Sequence, residues 1–399
     1  MRKPSLIVIF LTVFIDLIGF GIVMPILPLY SERFGANGLM IGFIIASFSV
    51  MQFIFSPIWG RLSDRYGRRP ILLISLAGGA ISYALFGWAS MLAGPWGLWL
   101  ILASRTFAGI CGGNITVAQA YIADITPPNL RSARMGLVGL AFGLGFILGP
   151  AIGALSTGWG ISAPGWLAAG LCGSNFVLAC IILPESWKPS SEHVPSRPSL
   201  AQGMRTLRET QVGLLIFLFF VATFCFACYE TTLALLVYHA FDYNQTHVGY
   251  LFAFGGLISA VVQGGLIRRL VNRWGEPALI CGSFFMLGLS LAALPYCRNN
   301  ASLLLSLAVL AFGSSINRPP TFGLISNLTV PAEQGVTLGV AQSAGSLARI
   351  FGPIFSAALF DLQPALPYVA CGAIALAAGG IAWHLLSRYS PQNLPESKS

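Results

Sequence analysis

Gly60-Arg61-Leu62-Ser63-Asp64-Arg65-Tyr66-Gly67-Arg68-Arg69-Pro70 places five charged side chains in eleven residues, between two apolar runs that carry almost none. The flanking runs, about 40–60 and 71–93, are each long enough to cross a bilayer as a helix, which takes about 20 residues. The polar stretch is therefore a short turn between two membrane crossings. Gly60 and Gly67 allow close packing and a tight reversal. The four arginines hold the turn on the cytoplasmic face. Asp64 is placed to accept from backbone N–H groups at a neighbouring helix N-terminus, where the helix dipole favours negative charge.

The same pattern extends outward in both directions. The chain has 399 residues, 56% hydrophobic and 9% charged, with a mean hydropathy of +0.77. It divides into twelve apolar runs: about 6–30, 40–60, 71–93, 97–122, 134–156, 164–184, 211–237, 247–268, 277–296, 302–326, 335–359 and 366–387. These predict an all-α membrane protein of twelve transmembrane helices. Membrane β-strands alternate apolar and polar residues, and these runs do not. The first run is too long for a cleaved signal peptide and has no small-residue cleavage site. The one long polar stretch, rich in Pro and Ser, predicts a cytoplasmic linker over 185–210 with a short amphipathic helix around Ala201–Glu209. It separates a six-helix bundle at 1–184 from a second at 211–399.

The net charge of +9 does not mark a nucleic-acid binder. Seventeen of the 22 Lys and Arg fall on one side if the N-terminus is cytoplasmic: Arg2 and Lys3, the Arg61–Arg69 group, Arg131 and Arg134, the linker, Arg268, Arg269 and Arg273, and the C-terminal tail. Arg33 and Arg298 alone fall outside. That is positive-inside topology with both termini cytoplasmic. The eight cysteines lie mostly within spans, and the pair Cys225-x-x-Cys228 has no second pair or nearby His, so it reads as apolar packing.

The halves repeat. Gly149-Pro150 and Gly352-Pro353 lie 203 residues apart, and at that offset Asn114 meets Asn317, Met135-Gly136 meets Leu338-Gly339, and Asp124-Ile125-Thr126 meets Asn327-Leu328-Thr329. Arg65-Tyr66-Gly67 likewise answers Arg273-Trp274-Gly275. Two parallel six-helix repeats about an axis along the membrane normal form a transporter architecture, with the substrate site near the midplane.

The 60–70 stretch looks like the loop signature between the second and third helices of the major facilitator superfamily. Asp16-Leu17-Ile18-Gly19-Phe20-Gly21-Ile22-Val23-Met24-Pro25-Ile26-Leu27-Pro28 resembles the first helix of drug:proton antiporters. Arg105-Thr106-Phe107-Ala108-Gly109, running into Ala120–Thr126, is similar to their fourth, and Gly145–Gly153 resembles the fifth-helix motif of exporters. The tetracycline exporters and their relatives are the nearest likeness, extending to Ile325-Ser326-Asn327 and Glu333-Gln334-Gly335. The resemblance implies that Asp64, with Gly60, Arg65, Gly67 and Arg68, forms a latch that strengthens in one access state. It also ties Arg105 to proton transfer. Gly145, Gly149, Pro150, Gly352 and Pro353 fill the packing and hinge positions. The chain departs from the tetracycline exporters in having no acid within 71–93 or 277–296, and in carrying Arg318 and Arg349.

Five charged residues lie within the apolar runs: Asp16, Arg105, Glu230, Arg318 and Arg349. Each costs about 2.5–3.5 kcal/mol at the bilayer centre, so such residues face water, a ligand or one another. Asp16 at mid-depth is equipped to take and release a proton. Glu230 is either a second proton or substrate carboxylate, or an interfacial acid that reaches water. Arg105 keeps its charge and suits a state-dependent pair with Asp16. Arg318, ahead of Pro319-Pro320, lines the inner cavity or marks a bent helix end. Arg349 carries a donor fork that suits a carboxylate or phosphate, or an internal pair with Asp16 or Glu230. Asn114, Asn317, Gln263 and Tyr229 complete the expected substrate-binding set. The reading is a proton-coupled exporter of small organic molecules, with an organic-anion uniporter or importer and a non-transporting receptor as alternatives. It expects a monomer in a bacterial cytoplasmic membrane, with substrate, protons and lipids as partners and no cofactor or metal. An enzyme is not expected: the four histidines fall in loops or near span ends, and no nucleophile–base set or Walker-type loop is present.

Overall fold

In a membrane only a helix or a closed barrel satisfies every backbone N–H and C=O internally, and here the apolar runs become helices. The computed structural model describes residues 4–92, 94–127, 131–186, 210–329 and 334–386. The expected linker helix, most of the linker charges, Glu333 and both charged tails lie outside the described residues. The helices are α1 (Leu6–Val23), α2 (Leu27–Arg33), α3 (Gly38–Tyr66), α4 (Arg68–Ala89), α5 (Pro95–Cys111), α6 (Asn114–Asp124), α7 (Arg131–Ser156) and α8 (Ala163–Ile182). The second half contributes α9 (Thr210–Phe241), α10 (Gln245–Val261), α11 (Ile267–Ala293), α12 (Asn300–Ser315), α13 (Arg318–Leu328), α14 (Gln334–Leu362) and α15 (Leu366–Leu386).

Eleven stretches among the described residues are long and apolar enough to cross a membrane. One of them, Gln245–Tyr296, has 52 residues. As a straight helix it would run about 78 Å, against a hydrocarbon core of about 30 Å. It reverses at Gly275, whose φ of 77° ends one crossing and begins the next. The twelve expected crossings result.

Two compact units form: Met1–His193 with Glu230–Gly256, and Val194–Tyr229 with Leu257–Ser399. In the first unit α1 packs on α7 and α8, and α4 on α5 and α8. Its core gathers Ile9, Val13, Leu17, Leu72, Leu76 and Tyr121, all buried. In the second unit α11 packs on α12 and α15.

The internal repeat is visible within each unit. Gly67 and Gly275 both hold positive φ, 100° and 77°. Arg65 lies over the ring of Tyr66 at 5.3 Å, and Arg273 over Trp274 at 5.9 Å. The fourth crossing breaks between α5 and α6 just before Asn114, and the tenth breaks between α12 and α13 at Asn317. Gly149 presses on Gly21 and Ile18 of the first crossing, and Gly352 on Phe224 and Ala227 of the seventh. A Cβ at Gly149 would stand 2.6 Å from the Gly21 Cα, so the small pair is what lets α7 approach α1.

Candidate functional site

At the turn that follows α3, Gly67 ends one helix and Arg68 begins the next. Arg68 is buried and donates through Nε to Asp124 at 3.0 Å, through Nη1 to Ser63 at 2.7 Å, and to Asp64. The α4 N-terminus exposes unpaired backbone N–H groups, and a carboxylate fills that position. It is Glu185, which accepts from the N–H of Arg68 at 2.8 Å and of Arg69 at 3.0 Å. Asp64, expected to accept from such N–H groups, is paired here with Arg68. Ser186 donates to Asp124 at 3.1 Å, and Arg69 to the Cys180 carbonyl at 2.7 Å. The start of the linker is thereby fastened beneath the charged turn. In the second half Glu276 takes a long contact, 3.5 Å, from Asn327.

The first unit places Asp16, Tyr83, Cys172 and Arg105 together from four helices. Glycines make this approach possible: a Cβ at Gly19 would stand 2.7 Å from the Cys172 sulfur and 3.2 Å from the Tyr83 ring, and one at Gly79 would reach Asp16 Oδ1 at 3.4 Å. The Cys172 thiol points at Asp16 Oδ1, 3.9 Å away. Arg105 is 2% exposed. Its guanidinium lies beside Tyr83 and over Phe48 at 5.0 Å and Phe20 at 5.9 Å. Its Nε and Nη2 have no hydrogen-bond partner among the described residues. Tyr83 neighbours both Asp16 and Arg105.

Glu230 is half-buried above the buried Thr231 and Thr232. Tyr229 is buried against Phe226, ring centroids 5.7 Å apart. In the second unit Arg318 opens α13 beside Pro319 and Pro320, is exposed, and lies 5.6 Å over Phe322, which meets Phe219 edge-on at 4.9 Å. No hydrogen bond or ion pair holds Arg318 among the described residues. Arg349 is exposed, and so is Gln263, within a single π-helical turn, Val262–Leu266; such turns are frequent at functional sites. Asn317 is buried and donates to Ser283 at 2.7 Å, which ties the ninth crossing to the tenth. Asn114 opens α6, and its side chain lies outside the described residues. Tyr83, Cys172 and Glu185 were not among the expected site residues. A neutral Tyr or Cys in an apolar run raises no flag of its own, and Glu185 lies just past the last apolar residue of the sixth span, where an acid is ordinary.

The twelve crossings, the paired six-helix repeats and the arginine-rich turn are those of the major facilitator class of membrane proteins. The Major Facilitator Superfamily model matches residues 9–353 and 266–399, and the chain belongs to that family. It is 31% identical over 364 residues to the tetracycline resistance protein, class C, of Escherichia coli, covering 89% of each chain. It is 28% identical to multidrug resistance protein 2 of Bacillus subtilis, covering 95% of this chain and 94% of that one. Among solved structures it resembles the human organic anion transporter MFSD10, with a TM-score of 0.71, 26% identity, and coverage of 96% of this chain and 100% of the other. A bacterial homologue of the lysosomal transporter Spinster, at 13% identity and TM-score 0.75, shares the fold.

Proposed function

We propose that this chain is a proton-coupled exporter of small organic molecules that works by alternating access. The functional halves are 1–184 and 211–399, joined by a cytoplasmic linker over 185–210, in a bacterial cytoplasmic membrane with both termini inside. The observation that carries this reading is Arg105. Its charge is permanent, it is buried within the first unit, and two of its nitrogens are unmatched. An unmatched buried donor costs about 1–3 kcal/mol, and more when charged. That cost falls when a carboxylate comes within reach, and Asp16 is the acid beyond Tyr83. Proton loss from Asp16 therefore favours an arrangement in which the carboxylate and Arg105 approach. Proton uptake removes that attraction. A change of access that accompanies this exchange couples proton movement to transport. The curated drug-resistance relatives support export.

The substrate class we favour is the organic anion. Arg318, exposed and backed by Phe322, offers a donor fork and an aromatic face. Among the similar proteins, MFSD10 is described as an organic anion transporter. Arg349 and Gln263 are the further groups we assign to substrate, and Glu230 to a second proton.

The test is reconstitution in vesicles with an imposed pH gradient, following carboxyfluorescein and, separately, the cation ethidium. Asp16→Asn is expected to retain dye binding and lose accumulation against the gradient. Uphill transport by Asp16→Asn at the wild-type rate would remove Asp16 as the proton carrier. Transport of ethidium alone would reject the anion assignment.

A further inference from the structure

Contacts between α1 and α8 set a second polar level one helical turn from Asp16, on the side of the α1 N-terminus. A Cβ at Gly19 would meet Cys172 and the Ala168 carbonyl, the Cys172 thiol points at Asp16 Oδ1 3.9 Å away, and Asn175 Nδ2 donates to the Thr12 carbonyl at 2.8 Å. Residues 19, 16 and 12 of α1 thus run past 168, 172 and 175 of α8, so the two helices are antiparallel. A carbonyl oxygen only accepts. The NH2 of Asn175 must therefore face Thr12, and its Oδ1 must face away. Asn175 is 1% exposed, and Oδ1 has no hydrogen-bond partner among the described residues. The Thr12 hydroxyl does not serve it, because its hydrogen goes to the Val8 carbonyl at 2.9 Å.

An orphaned acceptor in an apolar interior is costly. Side-chain direction says what this one faces. Helical side chains lean toward the N-terminus of their own helix. On α1 that inclines the Asp16 carboxyl toward the Thr12 level. On α8, which runs the other way, it inclines Asn175 toward the Asp16 level. One turn is about 5.4 Å, a gap that two side chains leaning toward each other close. On the opposite side of Asp16, Phe20 lies one turn further along α1, 5.9 Å from the Arg105 guanidinium, whose Nε and Nη2 are also unmatched among the described residues. Asp16 thus has an unmatched acceptor on one side and unmatched donors on the other. The other polar groups beside it are Cys172 from α8 and Tyr83 from α4. A carboxylate can only accept, which suits Arg105, whereas a protonated carboxyl has one hydrogen to give, which suits Oδ1 of Asn175.

We propose that Asn175 is a positioning residue that holds the protonated form of Asp16, its Oδ1 accepting the carboxyl O–H. This rests on the reading of Asp16 as the proton carrier. On ionisation the hydrogen leaves to water on the side then open, the bond to Oδ1 is lost, and the carboxylate turns to Arg105. The two protonation states of one side chain then have two different partners, one on α8 and one on α5, so the proton decides which helix α1 grips.

The experiment titrates the purified full chain in lipid membranes with pH and follows the infrared band of protonated carboxyl groups. The part due to Asp16 is assigned by its loss in Asp16→Asn. Asn175→Leu and Asn175→Ala remove the acceptor and should weaken the proton affinity of Asp16 about three- to tenfold, which lowers the midpoint of that band by about half a unit to one unit. Asn175→Gln, which keeps an amide oxygen, should recover part of the shift. Ser174→Ala, on the exposed face of the same helix, should titrate as the wild type does. Tm falls in the Leu and Ala variants whether or not the proposal holds, because both lose the bond to Thr12; only the midpoint separates a positioning role from a packing one. A wild-type midpoint in folded Asn175→Leu and Asn175→Ala, with a band that Asp16→Asn does remove, would overturn the role of Asn175 and leave Asp16 as the carrier. A titration unchanged by Asp16→Asn, together with uphill transport by that variant, would overturn both.

Discussion

Tyr83 is where the chemistry of single residues is most exposed to test. It neighbours both the Arg105 cation and Asp16, so a hydrogen bond from Arg105 to its hydroxyl is the interaction to test. Hydrogen bonds to charged groups contribute about 1.5–3 kcal/mol, so removing this one shifts a coupled equilibrium by roughly ten- to hundredfold. Tyr83→Phe keeps the ring against Gly19 and loses only the oxygen. It is expected to leave the protein folded, and to lower pH-driven accumulation by about tenfold or more in reconstituted vesicles. Unchanged accumulation would show that Arg105 needs no help from Tyr83. The charged half of this cluster was legible because an Asp or Arg inside an apolar run violates the pattern around it. The neutral half was not: Tyr83 and Cys172 obey that pattern, and only helix packing reveals that they flank the charges. Asn317, expected in the substrate-binding set, donates in this structure to Ser283 inside the second unit.

At the scale of elements, the helix starting at Arg68 depends on a residue 117 positions away. Glu185 accepts from two of its orphan N–H groups and adds a negative charge at the positive end of the helix dipole. Glu185→Ala removes both acceptors at once. A cap is worth about 0.5–2 kcal/mol, and Glu185 is exposed, so the lower half of that range applies. A lowered Tm of the purified protein with intact helix content is the expected result, and Glu185→Gln, which keeps one acceptor, should fall between. A Tm equal to the wild type in Glu185→Ala would mean that water serves the α4 terminus as well. Gly275 makes a separate point. Its φ of 77° reverses a 52-residue helical stretch, and a β-carbon there costs roughly 1–2 kcal/mol. Gly275→Ala should therefore destabilise the protein by about that amount, whereas Gly264→Ala, in open space, should not. The helices and their ends were largely readable because period, Gly and Pro announce them. The break at Asn317 is of the same kind, since Pro319 and Pro320 mark where the ladder fails, whereas 97–122 reads as one unbroken run and hides the break before Asn114. The cap by Glu185 was not readable, since no local signal joins residue 185 to residue 68.

For the molecule as a whole, the contacts that matter are those that must open if access alternates. Within the first unit, α10 lies on α7 along small residues: Gly249 against Ala154 and Pro150, and Gly256 against Ile147 and Phe146. At the end of this seam the hydroxyls of Thr157 and Thr246 are 2.8 Å apart. Nearby, His239 Nε2 meets a Glu32 oxygen at 2.8 Å and joins the end of α9 to α2. The fifth and eighth crossings belong to opposite sequence repeats, so a transporter that rocks one repeat against the other has to part this seam during each cycle. A covalent bond across it should therefore stop turnover without harming the fold. Thr157→Cys with Thr246→Cys places two thiols at a distance that a disulfide can close. Oxidation is expected to abolish transport in the double variant, and reduction to restore it. Each single variant, treated identically, controls for the native cysteines. Substrate binding measured on the oxidised protein should persist from the side that remains open. If the oxidised double variant is fully cross-linked and still transports at the wild-type rate, the α7–α10 seam stays closed throughout the cycle. Access would then have to change by movement elsewhere, and the rocking of two repeats would not describe this protein.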